Sequence, residues 1–180
     1  VCSKIRKNIT RPIADFRHLT DFGHFSVRFP TFPSTVINYT LTETLYLDTN
    51  IYIDLFEDRA DRLRPLGEFA FQLLKRAIAC EFDIVLSSLV LEELFYNSYE
   101  QQVKNLLPTL DEKGKIIRAE ITPDNVKTAR RICQERKTPF NDTLHAVLAQ
   151  KMNSAYLVTR NMKDFYELQD LVKIAFPENL

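Results

Sequence analysis

The chain has 180 residues, of which 45% are hydrophobic and 27% charged, and it balances 24 Lys+Arg against 24 Asp+Glu. This is the composition of one ordinary globular domain, long enough to bury a core without disulfide or metal staples. Zero net charge excludes a protein that holds nucleic acid by bulk positive charge, so any such contact must come from a local patch.

Only three glycines occur, at Gly23, Gly67 and Gly114, so neither G-x-G-x-x-G nor G-x-x-x-x-G-K can be written. Cys2, Cys80 and Cys133 form no C-x-x-C, and His18, His24 and His145 form no H-x-x-x-H. A zinc ribbon, a dithiol redox motif and a helical zinc site are therefore excluded, and dispersed thiols in odd number fit a reducing compartment. No apolar run reaches the ~18 residues of a membrane span, and the basic N-terminus is not followed by a signal-peptide core. The expectation is a cytoplasmic protein without a membrane segment.

Residues 1–43 are rich in Phe and Pro and show no sustained period, so they are expected to form a poorly ordered extension. Pattern starts at Thr44. Leu45-Tyr46-Leu47 is a short apolar run that ends in Asp48-Thr49-Asn50, a strand feeding a helix cap, and Ile51 to Glu57 would be the helix. The charged stretch Asp58 to Pro65 interrupts it. Leu66, Phe69, Ala70, Leu73, Leu74, Ala77 and Ile78 then follow helical spacing. Asp83 to Ser87 reads as a second strand. Ser87 or Ser88 can cap a helix from about Leu89 to Leu107, stopping at Pro108.

Lys115 to Ile121 is a third strand candidate. Thr122-Pro123 is a helix start, with Thr as cap and Pro in the first helical position; that helix ends before Pro139. Asn141 or Asp142 opens another helix, running to Met152. Ala155 to Thr159 is a fourth strand and Val172 to Phe176 a weaker fifth. Strands alternating with helices in this way mean an α/β fold: a parallel sheet sandwiched between helices in three layers.

In such a sheet, ligands bind beyond the carboxyl ends of the strands, where the strand order reverses. Asp48 ends the first strand, Glu92 and Glu93 open the helix after the second, Asp142 opens a helix, and Asn161 and Asp164 follow the fourth strand. Carboxylates converging on one rim repel one another unless a cation neutralises them, and oxygen donors suit Mg²⁺ or Mn²⁺.

Four segments carry a family resemblance: Leu45 to Asn50, Ser88 to Leu94, Asn141 to Ala149 and Leu157 to Phe165. In this order and spacing they resemble the four motifs of the PIN domain, over about residues 44–176, with a last motif similar to that of the VapC-like toxins of toxin–antitoxin pairs. The resemblance implies a PIN-like domain over residues 44–180. It also implies a metal-dependent endoribonuclease that hydrolyses RNA phosphodiester bonds as the toxin partner of an antitoxin protein.

Residue by residue, the resemblance makes Asp48 the central ligand of Mg²⁺ or Mn²⁺. Glu93 matches the family Glu, because Leu94 follows it, and Glu92 becomes its solvent neighbour. Asp142 is the third ligand. Asp164 and Asn161 share the fourth place, since many relatives carry Asp where Asn161 stands. Asn50 orients Asp48 or caps the helix, and Thr159 and Arg160 lie by the site, close enough to touch the RNA. His145 is read as a structural or exposed histidine. Arg59, Arg62 and Arg64 form a solvated loop near the mouth of the site, with phosphate contact as the alternative.

Two other readings stand beside this one. A PIN fold could bind RNA or protein without cleaving, because Asn161 lowers the charge of the set. A haloacid-dehalogenase-like phosphatase also begins with Asp after a strand, but needs a second Asp where Asn50 stands. A homodimer is expected, as PIN toxins usually form one. The helix with Phe69, Leu73 and Leu74 and the helix with Phe95 and Tyr99 carry more large apolar groups than one core face needs.

Overall fold

The computed structural model describes residues 42–180, so the expected N-terminal extension lies outside the described residues except at its last two positions. Glu43 already belongs to the first strand, β1 (Glu43–Leu47). From there the chain runs through α1 (Thr49–Glu57), α2 (Leu66–Ile78), β2 (Phe82–Ser87), α3 (Ser88–Tyr96), α4 (Glu100–Glu112), β3 (Ile116–Ala119), α5 (Pro123–Arg136), α6 (Phe140–Lys151), β4 (Tyr156–Val158) and β5 (Ile174–Ala175). The strands lie in the order β3-β2-β1-β4-β5 and every pairing is parallel. Helices between parallel neighbours cross over right-handed, which puts α1–α4 on one face of the sheet and α5 and α6 on the other. This is the three-layer α/β/α architecture expected from the alternation.

The central strand shows why the apolar run reads as it does. Leu45, Tyr46 and Leu47 are all buried, because β1 has strands on both edges and helices on both faces. The α6 helix is buried over seven consecutive residues, Thr143 to Ala149, and its small residues Ala146 and Ala149 let it lie close against its neighbours. Two caps behave as the sequence predicts. Ser87 Oγ accepts the Val90 N–H at 3.2 Å. Thr122 and Asn125 form a reciprocal capping box ahead of Pro123.

One expected helix is two. The segment expected to run from Leu89 to Leu107 breaks at Asn97–Tyr99, where Ser98 turns into the left-handed region (φ 68°). The Tyr99 N–H bonds back to the Leu94 carbonyl at 2.9 Å, and Asn97 Nδ2 donates to the Glu93 carbonyl at 2.7 Å, so the end of α3 is capped without a glycine. Pro108, expected as a stop, sits inside α4. It is exposed, so the carbonyl one turn earlier, which Pro108 cannot serve, faces water.

Gly67 is the point where α2 meets α1. A β-carbon there would lie 2.7 Å from the Asp58 Cα and 2.9 Å from the Asp54 carbonyl oxygen. The Gly67 N–H donates to the Arg59 carbonyl at 2.9 Å, so the start of α2 is pinned directly to the end of α1. Of the apolar groups expected to be spare, Leu73 and Leu74 are core and Tyr99 packs against it, whereas Phe95 remains at the surface, next to Tyr96, which is 90% exposed. Among the described residues, no helix is long and apolar enough to cross a membrane.

Candidate active site

The strand order reverses between β1 and β4, and the carboxyl ends of these two strands carry Asp48 and Thr159. The Asp48 N–H bonds to the Val158 carbonyl at 3.0 Å, which ties the two strand ends together. Asp48 occupies the N-cap position of α1, but its side chain makes no capping hydrogen bond. Instead Oδ2 accepts from the Thr159 hydroxyl at 2.6 Å and from Asn50 Nδ2 at 2.5 Å. Asn50 also reaches Thr159 Oγ1 at 3.0 Å, and its Oδ1 accepts the Arg160 N–H at 3.1 Å. Asp48 is buried, and burial raises its carboxyl above the ordinary value against the opposing pull of His145 and Thr159.

Glu93 arrives from the second turn of α3, which Ser87 caps. Its Oε2 accepts from the Thr49 hydroxyl at 2.5 Å and lies 3.1 Å from His145 Nε2, and its Oε1 accepts from Asn141 Nδ2 at 2.9 Å. Burial opposes its ionisation, but the hydrogen bond and charge of His145, with Thr49 and Asn141, outweigh burial and hold the carboxyl below its ordinary value. Glu92, its neighbour, is exposed.

Asp142 and His145 come from α6. They are three residues apart, so both point from the same side of the helix, His145 one turn deeper. Asp142 is pushed up to about 6, chiefly by burial and then by the charges of Asp48 and Asp164, with Glu93 adding to the repulsion. Asp164 follows β4, where its Oδ2 accepts from Asn161 Nδ2 at 2.5 Å and its N–H bonds to the Asn161 carbonyl at 3.2 Å. Asn161 is in turn held by its N–H on Thr159 Oγ1 at 3.0 Å.

Four segments thus converge on one rim: the β1–α1 junction, α3, α6 and the stretch after β4. Asp48, Glu93 and His145 each bring a potential ligand atom within 4.8 Å of the others. Asp142 is not part of that trio but interacts electrostatically with all three of its members and with Asp164. Several carboxylates, one of them pushed toward its protonated form by burial and then by its neighbours, are a donor set that a hard divalent cation would relieve.

Comparison with known proteins gives the same reading. The family model described as the PIN domain matches residues 45–171. The chain belongs to the PIN-domain family. No curated protein matches the sequence. Solved structures of similar fold include a VapBC2 complex from Rickettsia felis bound to a DNA fragment from its promoter, at 21% identity and a TM-score of 0.54, covering 74% of this chain and 98% of that one. A toxin–antitoxin complex from Klebsiella pneumoniae is similar at 24% identity and a TM-score of 0.52, covering 74% and 97%. FitAcB from Neisseria gonorrhoeae is similar at 20% identity and a TM-score of 0.52, covering 76% and 99%. At these identities the likeness is one of fold.

The PIN domain places Asp48, Glu93, Asp142, Asn161 and Asp164, with Asn50 and Thr159, around the same rim. Arg160 differs. Its side chain turns away to Asp54 at 2.9 Å, to Glu178 and to the face of Phe69, and only its backbone N–H reaches the site, through Asn50. In the loop after α1, Arg59 pairs with Glu57 at 2.6 Å and Arg64 with Asp61 at 2.5 Å.

The sequence gives Thr49 and Asn141 no site role, and it reads His145 as structural or exposed, whereas the structure brings all three to the rim. His145 is buried, 2.8 Å from the Tyr46 hydroxyl and 3.1 Å from Glu93. Its spacing of three from Asp142 on a helix was the available signal.

Proposed function

We propose that this PIN domain is a divalent-metal-dependent endoribonuclease and the toxin half of a toxin–antitoxin pair, acting in the cytoplasm. One observation carries the reading. Asp48 and Glu93 bring carboxylate oxygens within 4.8 Å of each other at this rim, and beside them burial, and then the charges of Asp48 and Asp164, push Asp142 up to about 6. Asp48, Glu93 and Asp142 would hold the cation, with Asp164 and Asn161 beside them. All are oxygen donors, which favours Mg²⁺ or Mn²⁺ over softer metals. Such an ion, when bound, supplies positive charge against phosphodiester oxygens and makes water a better nucleophile near neutral pH.

The chain's own residues perform the positioning. Thr159 and Asn50 both hold Oδ2 of Asp48, while Thr49 and His145 both hold Oε2 of Glu93. Each carboxylate is thereby fixed in one orientation before any ligand arrives, which removes a reorganisation cost from binding. The antitoxin partner is supported by the fold likeness to toxin–antitoxin complexes from Rickettsia felis and Klebsiella pneumoniae.

The test is RNA cleavage by purified protein with Mg²⁺, Mn²⁺ or chelator, alongside Asp48→Asn. We expect cleavage with either ion, none with chelator, and none from the folded variant. Cleavage at the unmodified rate by Asp48→Asn would remove the site from consideration. A small DNA-binding reading frame beside the gene, whose product abolishes cleavage on co-expression, would support the toxin half of the proposal.

A further inference from the structure

Behind the carboxylates runs a chain of hydrogen bonds that the metal reading does not require. Tyr46 is the next-to-last residue of β1 and is fully buried, yet it carries a hydroxyl. Along a strand, residues 46 and 48 point to the same face, so the Tyr46 ring stands beneath Asp48. Its hydroxyl lies 2.6 Å from Ser87 Oγ and 2.8 Å from His145 Nδ1. The two rings meet edge to face, with centroids 5.7 Å apart and planes at 73°. Ser87 Oγ in turn accepts the Val90 N–H that caps α3, the helix carrying Glu93. On the far side of the imidazole, Nε2 is 3.1 Å from Glu93 Oε2 and 3.8 Å from Asp48 Oδ1.

The proton arrangement follows from these partners. A carboxylate oxygen has only lone pairs to offer, so a ring nitrogen at 3.1 Å from it must carry a hydrogen. With Nε2–H aimed at Glu93, Nδ1 of the neutral ring can accept from the Tyr46 hydroxyl, Tyr46 can accept from Ser87, and Ser87 can accept from Val90 N–H. Each hydroxyl proton then has one acceptor, and no buried group in the chain is left over. Burial opposes a second proton on the ring, but Glu93, Asp48 and Asp142 outweigh it. With that proton, Nδ1–H donates to the Tyr46 oxygen while Nε2–H still faces Glu93. The same Nε2 is near enough to both carboxylates to be taken for a metal ligand, but a ligating nitrogen needs the lone pair that this arrangement replaces with a proton.

We propose that His145 is a positioning residue rather than a ligand: Tyr46 and Ser87 hold its ring so that Nε2–H donates to Glu93 Oε2 and fixes the orientation of that carboxylate. Oε2 then has both its acceptor positions filled, by Thr49 and His145, and Oε1, which accepts only from Asn141 Nδ2, keeps the one position left to face a cation. The inference rests on the metal-centre reading for its consequence but not for its geometry.

The experiment uses the full chain labelled with ¹⁵N. Long-range ¹H–¹⁵N spectra of the His145 ring are recorded without metal and with Mg²⁺. Nε2 protonated in both states is the expected result; loss of that proton on adding Mg²⁺ makes His145 a ligand and overturns the proposal. Mn²⁺ affinity is then measured by electron paramagnetic resonance for the unmodified protein, His145→Gln, His145→Leu and Tyr46→Phe, each checked for folding by circular dichroism. Removing a residue that orients a ligand weakens metal binding by roughly 10-fold or more. His145→Leu should show that loss, and His145→Gln, whose amide can still donate to Glu93, should recover most of it.

Tyr46→Phe keeps the ring and removes only the anchor. It should weaken Mn²⁺ and also shift the His145 ring signals in the metal-free protein, a signature that a role in packing alone would not give. Equal affinity for all four proteins, or direct imidazole-nitrogen coupling to bound Mn²⁺, overturns the proposal. Failure of the unmodified protein to bind either ion would overturn the metal-centre reading instead, and the metal-free spectrum, with Nε2–H retained, tells the two failures apart.

Discussion

Asp142→Asn should make the metal-free protein more stable while destroying the proposed site. The Asp142 carboxyl is raised from its ordinary 3.8 to about 6, first by burial and then by Asp48 and Asp164. A raised carboxyl binds its proton more tightly in the folded state than in the unfolded state, so stability falls as pH rises from the unfolded value through the folded one. A gap of that size corresponds to about 3 kcal/mol at neutral pH, since one unit is about 1.4 kcal/mol. Asp142 is only half-buried, and solvent screening reduces the figure to roughly 1–2 kcal/mol. Asn keeps the shape and removes the charge. The assay is urea unfolding in EDTA at several pH values. The variant should gain about 1–2 kcal/mol at pH 7.5, or roughly 2–4 °C in Tm per kcal/mol, and the gain should shrink through pH 6 and vanish near pH 4. A variant equal to or less stable than the unmodified protein at pH 7.5 would refute the claim that the rim is over-negative. Adding Mg²⁺ should then raise the stability of the unmodified protein more than that of the variant.

Other perturbations test the frame around the site. Arg160→Met should cost about 3 kcal/mol in urea unfolding, because buried Asp54 loses its 2.9 Å partner while Arg59, at 3.9 Å, can offset only part of the loss; a loss below about 1 kcal/mol would mean that the pair behaves as a surface one. Gly67→Ala should lower the melting temperature despite the helix propensity of Ala, since its β-carbon meets backbone atoms of α1 at 2.7 and 2.9 Å and overpacking of this kind costs about 1–3 kcal/mol. Light scattering should report a homodimer at micromolar concentration, and Tyr96→Lys should weaken it, Tyr96 being 90% exposed beside half-exposed Phe95; a monomer throughout would refute the dimer.

The elements, their parallel arrangement and the acidic rim were legible from the chain itself, because each leaves a signal within a few residues. Leu45-Tyr46-Leu47 before Asp48 marks a doubly covered strand, Thr122-Pro123 marks a helix start, and the apolar spacing from Leu66 to Ile78 marks an amphipathic helix. The break at Ser98 was hidden because it uses a non-glycine residue in the left-handed region, stabilised by bonds back to Leu94 and Glu93 rather than by a local breaker.

What each polar side chain does was decided by tertiary structure. Asp48 has the sequence signature of a helix cap, yet its carboxylate is held by Thr159, 111 residues away. Arg160 stands next to a site residue, yet its guanidinium serves Asp54 and Glu178. His145 sits on an apolar helix and reads as core, yet strand pairing and helix packing bring it between Tyr46, 99 residues away, and Glu93, 52 residues away. Periodicity tells which face of an element is buried, but a hydrogen bond needs a particular atom on the far side of that face. Only the closing of β1 against β2 and β4, with α3 and α6 brought to the same rim, sets where those atoms are.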